Sequence, residues 1–144
     1  MHDESIVGCL EKLMWFYEGK EVDENIGEGY VGFVYIIENT LTNKKYIGKK
    51  LFQFTRTKKI AGKKKKVKST SDWQIYYGSN GKLLEDVKEL GEQHFKRTIL
   101  KLCKSKGTAN YHEAKYQMYF EVLESSEFYN DQIRVRVHRS HIKD

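Results

Sequence analysis

Eight consecutive residues, Tyr30-Val31-Gly32-Phe33-Val34-Tyr35-Ile36-Ile37, carry no charge and are almost all β-branched or aromatic, so they constrain the fold more than any other stretch. Side chains of this kind pack well on a pleated surface, which makes the run a buried strand. Leu41-Thr42-Asn43-Lys44 has turn chemistry, and Lys45-Tyr46-Ile47 reads as the short hairpin partner. Such a hairpin needs apolar cover, and helical spacing supplies it. Ser5 as N-cap with Ile6, Leu10, Leu13 and Tyr17 predicts an amphipathic helix over 5–18. Leu83, Leu84, Val87 and Leu90 place a helix over 82–90 that Gly91 ends, and Asn110 to Leu123 is a second. His94 to Leu102 reads as a third strand, Asp72 to Gly78 as a helical turn or loop, and Ile133, Val135 and Val137 as an alternating edge strand. The expectation is an α+β fold: a small antiparallel three-stranded sheet flanked by helices, with an N-terminal helix and a long basic loop.

Charge divides the chain. Between Lys44 and Lys68 lie 12 Lys/Arg, and no acid occurs between Glu38 and Asp72, whereas residues 1–28 hold 8 Asp/Glu against 2 Lys. These segments account for the net +6, and an anionic partner follows. The expected organisation is an acidic helical extension over 1–28 and a main domain over 29–144 with a basic loop at 49–71 and a basic tail. Ala61-Gly62 and the lysines around it cannot bury themselves, so the loop is expected to be mobile, with Lys58, Lys59, Lys63, Lys64, Lys65, Lys66 and Lys68 available to nucleic-acid phosphates. Apolar runs fall short of the roughly 20 residues a membrane span needs, and the early Asp3 and Glu4 do not suit a secretory signal. No membrane partner and a cytoplasmic location are expected. Cys9 and Cys103 read as reduced thiols. His138 and His141 make an incomplete zinc set, and with Arg134, Arg136, Arg139 and Lys143 they read as a tail able to touch phosphates.

Phe33-Val34-Tyr35 and Tyr46-Ile47-Gly48 resemble the two halves of the GIY-YIG nuclease signature, with the tyrosines eleven positions apart. The second half matches literally. In the first, Phe33 and Val34 replace Gly and Ile, although Gly32 stands one position earlier. The family also carries an Arg after the second half, a metal-binding Glu on a later helix and an Asn beyond it; Arg56, Glu113 and Asn130 follow in that order. The resemblance runs from about Gly32 to Asp131. The lysine-rich stretch interrupts the place of the Arg-bearing helix, which leaves Lys49, Lys50 and Lys82 as alternative cations. Asp72-Trp73, Tyr76-Tyr77-Gly78-Ser79 and His94-Phe95 are similar to longer, phage-encoded homing-type members.

The resemblance implies a divalent-metal endonuclease acting on double-stranded DNA. Glu113 would hold one Mg²⁺ or Mn²⁺, and Arg56 would grip the non-bridging phosphate oxygens. Tyr35 would act as general base with Tyr46 as its hydrogen-bonding or water-positioning partner, or with the roles exchanged. Lys49 and Lys50 would favour a phenolate, Gly48 would allow close approach, and Asn130 would orient the helix end or the Glu113 carboxylate. Taken singly, each residue is more often structural; their joint order carries the reading. Two rivals stand beside it: a catalytically inactive DNA-binding module of the same fold, and an RNA-binding protein that stacks bases on exposed Trp73, Tyr76 and Tyr77. An acidic 1–28 segment folding over the basic loop is a further idea, and plain solvated charge is the favoured account of it. Target sequence, nicking against double-strand cutting, biological role and oligomeric state, a homodimer included, stay open.

Overall fold

The protein is described over residues 14–143 of a computed structural model. The charge-free run folds as expected into β3 (Gly32–Asn39), preceded by β1 (Trp15–Tyr17) and β2 (Lys20–Glu21) and paired antiparallel with β4 (Lys45–Leu51). The third strand is β7 (Phe95–Cys103), antiparallel to β3 on its other side. β1 adds in parallel to β7, so the sheet has five strands in the order β2-β1-β7-β3-β4 and is mixed, not the three-stranded antiparallel sheet expected.

Two helices cover it. On one face α1 (Gly81–Leu90), capped by the Asn80 side chain on the Leu83 N–H and closed by Gly91, brings Leu83 and Val87 onto Phe33, Tyr35, Ile37, Phe95 and Ile99. On the other α2 (Lys106–Tyr119), capped by Ser105, brings Ala109 against Val34, Ile47 and Cys103. This helix starts four residues before the expected Asn110 and ends at Tyr119.

Three further expectations change. Residues 15–17 form a strand, and Trp15, 2% exposed, donates its indole N–H to the Trp73 carbonyl at 2.8 Å. Helical spacing there had a second solution, because Trp15 and Tyr17 also alternate as a strand requires. Residues 14 and 18 are a bend and a turn, and residues 5–13 of the expected helix lie outside the described residues. The 133–137 stretch forms no strand. The basic loop is instead an antiparallel ribbon, β5 (Gln53–Ile60) and β6 (Lys63–Thr70), that stands off the sheet. Its backbone groups pair across the ribbon, so the strands form with no apolar core to bury. A two-residue turn closes it, with Ala61 and Gly62 both at positive φ (54° and 78°), as such hairpin loops require. No described helix is long and apolar enough to cross a membrane.

Candidate active site

Strand alternation sets the site. Tyr35 pairs with Gly48, and Tyr46 lies two residues before Gly48 on the same face of β4, so both rings project to one side with centroids 6.2 Å apart. A register shift in the β3–β7 pairing falls between Val34 and Tyr35. A Cβ on Gly48 would lie 2.5 Å from the Tyr35 hydroxyl and 2.9 Å from the Tyr46 ring. Gly48 is the gap into which both tyrosines lean. Gly48→Ala is therefore expected to push the tyrosines apart and slow catalysis about a hundredfold, the scale of an ångström misplacement, at a stability cost of about 1–3 kcal/mol. Unchanged rates in a single-turnover assay would show that the pair is not needed in this arrangement.

β4 is an edge strand, and its open side is half covered. The Lys45 N–H donates to Glu127 O at 2.8 Å, the Tyr129 N–H to Lys45 O at 2.7 Å, and the Asn130 amide makes two bonds with the Ile47 backbone, at 3.0 and 2.8 Å. Gln117 adds a bond to Ile47 O at 2.9 Å. Asn130 thus pins the strand between Tyr46 and Gly48, which is a different contact from the helix end or carboxylate expected for it. This cover stops at Ile47; the next residue, Gly48, is buried beneath the two tyrosines, and Lys49 and Lys50 beyond it are half-buried.

Glu113 arrives from the opposite face, on α2. It is the eighth residue of that helix, not part of its first turn, so the helix dipole does not account for its position. Its side chain is 16% exposed and 3.6 Å from the Lys49 ammonium. Burial raises the carboxyl above its ordinary range, and the Lys49 charge, with hydrogen bonds to Lys49, partly offsets this. Glu113 is close enough for its charge to raise both tyrosines.

The two phenols differ. Tyr35, 1% exposed, is pushed well above the ordinary tyrosine value, first by burial and then by Tyr76 and Tyr46. Tyr46 is half-buried; burial raises it while a hydrogen bond with Ser79 (3.2 Å) lowers it. It opens on a polar cavity of about 210 Å³ lined by Ser79, Asn80, Asn130, Asp131 and Gln132 among others.

The remaining candidates lie further out. Lys50 is bound to Asp72 at 2.6 Å and sits 4.0 Å over the Tyr76 ring. Lys82 pairs with Asp86 at 3.2 Å. Arg56 lies exposed on β5 opposite Val67, and Lys58, Lys59, Lys63, Lys64, Lys65, Lys66 and Lys68 share the ribbon. His138 and His141 cap a short 3-10 turn. Trp73 and Tyr77 are core residues, 4% and 6% exposed, so they offer no stacking platform.

Sequence reasoning did not place Tyr76 at the site, yet its ring packs edge-on to Tyr35 at 5.9 Å. Buried Arg97 holds it there, donating to the carbonyls of Gln74 (3.0 Å) and Tyr76 (2.8 Å). The available signal was the alternation of Phe95, Arg97 and Ile99, which puts an arginine on the apolar face of its strand.

Residues 15–133 match the family model described as "Putative endonuclease segE, GIY-YIG domain". No curated protein and no solved structure matches the chain.

Proposed function

Because the chain belongs to the GIY-YIG endonuclease family, we propose that it hydrolyses phosphodiester bonds in duplex DNA at the Gly48 edge of β4, with one divalent cation held by Glu113. The observation that carries this is a juxtaposition on adjacent residues of β4: two tyrosines close over Gly48 on one face of the sheet, and on the other a partly buried carboxylate lies 3.6 Å from the Lys49 ammonium, near enough for its charge to act on both phenols.

Among the described residues no group of three or more His, Cys, Asp or Glu gathers. A single carboxylate suits a hard ion such as Mg²⁺ or Mn²⁺, which keeps waters and takes substrate phosphate oxygens as its other ligands. The chemistry it supplies when bound is neutralisation of charge on the phosphate and the leaving oxygen.

Tyr46 is the residue we assign to the attacking water, since its hydroxyl reaches a polar cavity. Tyr35, buried and held protonated, stands behind it as a donor that fixes the arrangement. This exchanges the roles first drawn from the resemblance, and burial is the reason. Lys49 is the cation nearest Glu113, and Arg56 meets DNA from the ribbon.

Supercoiled plasmid at low salt tests the proposal. Nicking or linearisation is expected with Mg²⁺ and not with EDTA. Tyr46→Phe should slow it about a hundredfold, the usual scale for a lost proton-handling group, and Tyr35→Phe about tenfold, the scale of one hydrogen bond. The reverse order would return the base role to Tyr35. Binding without cutting under every divalent cation would make the protein a DNA-binding module of this fold.

A further inference from the structure

Apart from the DNA contact of Arg56, the proposed chemistry gives no role to the β5–β6 ribbon, the most strongly charged feature among the described residues. Residues 53–70 hold eight Lys/Arg and no carboxylate, and every one of them is exposed except the half-buried Val67. The register divides the cations evenly. With Lys58 opposite Lys65 and Lys59 opposite Lys64, one face presents Arg56, Lys58, Lys63 and Lys65, and the other Lys59, Lys64, Lys66 and Lys68. A ribbon lying against a single phosphate strand would need cations on one face. Four on each side suit a slot with a negative wall on both sides.

Dimensions identify the slot. A two-stranded ribbon with side chains on both faces is about 10 Å thick, by analogy with stacked sheets, which fits a major groove about 12 Å wide and not a minor groove of about 6 Å. Eight residues per strand extend about 27 Å, enough to follow a groove for most of a helical turn. The tip, Ala61-Gly62, bears nothing larger than a methyl group, so the leading end is slender. The ribbon also starts at the site: the Lys50 ammonium lies 5.1 Å over the Phe54 ring at its base and 4.0 Å over Tyr76, whose ring packs on Tyr35.

We propose that β5–β6 inserts into the major groove of the duplex beside the scissile phosphate, each face meeting one wall of phosphates. The proposal rests on the DNA reading above. Directly opposed lysines repel across the free ribbon, and two flanking phosphate walls remove that repulsion.

The test uses the full chain with a 30-base-pair duplex in EDTA, where binding is read without cutting. One variant carries glutamine at Arg56, Lys58, Lys63 and Lys65, and the other at Lys59, Lys64, Lys66 and Lys68. Each is expected to flatten the plot of log affinity against log salt by about 3 to 4, near 0.9 for each phosphate released. Guanine N7 methylation, which modifies the major groove, should weaken binding about fivefold or more, and adenine N3 methylation in the minor groove should not. One variant keeping the full slope while the other loses it, or interference confined to adenine N3, overturns insertion. Metal-dependent cutting alongside either of those results leaves the nuclease reading standing. Absence of both binding and cutting removes both.

Discussion

Replacing Glu113 by glutamine is expected to lower Mg²⁺-dependent cleavage about a thousandfold or more while leaving DNA affinity in EDTA within about twofold, since several kcal/mol of transition-state stabilisation depend on the bound ion. Glutamine keeps the shape and the α2 packing and removes the charge. The fold should tolerate it well. Burial holds the Glu113 carboxyl above its ordinary value, so the folded state binds its proton more tightly than the unfolded chain does. The stability this contributes is complete below the unfolded value and is lost as pH rises through the folded one. At neutral pH the buried carboxylate is thus a cost, and the metal-free variant is expected to melt higher than the parent at pH 7, with the gap closing towards pH 4. Mg²⁺ should raise the parent's melting temperature and not the variant's. A variant that still cuts at the parent's rate would place the metal on other residues. One that melts well below the parent would make Glu113 structural, its ion pair with Lys49 the part that matters.

Arg97→Met is expected to cost about 2–4 kcal/mol of folding stability, read by urea denaturation, or about 10 °C in melting temperature for a chain of this size, because two buried carbonyls lose their donor. Arg97 is 1% exposed, and burial brings its guanidinium down to about 10, partly offset by Tyr77 and Glu92. It lies between two rings, 4.7 Å over Trp15 and 4.2 Å over Tyr77, while feeding the carbonyls of Gln74 and Tyr76. Methionine fills much of the volume and leaves both carbonyls without that donor. Because these bonds hold the turn that sets Tyr76 against Tyr35, cleavage by the folded variant should fall too. Arg97→Lys should recover part of the loss: a single nitrogen, Nη1, donates to both carbonyls and an ammonium can replace it, whereas the planar group stacked between the Trp15 and Tyr77 rings is lost. A loss below about 1 kcal/mol for Arg97→Met would show that the carbonyls find other donors.

The sequence by itself determined the hairpin and the family. A charge-free β-branched run has one low-cost fate, so β3, its turn and β4 follow from composition and period, and with them the pairing of Tyr35 with Gly48. Helix α1 was equally readable, since Gly91 and an apolar stripe are both local signals, while its Asn80 cap emerged only in the structure. Only the tertiary structure decided the rest. Residues 15–17 become a strand because β7 offers them an open edge, a partner about eighty residues away that no local spacing encodes. The lysine-rich stretch becomes a ribbon because its two halves satisfy each other's backbone groups, although no apolar pattern marks either strand. At the site, which tyrosine is sealed and which meets solvent is a matter of burial: Tyr35 lies beneath Tyr76, which Arg97 holds in place. Glu113 and Asn130 stand in the sequence in the expected order, but that the helix brings one against Lys49 while the other pins Ile47 two residues earlier on β4 depends on packing across the sheet, which the sequence does not display.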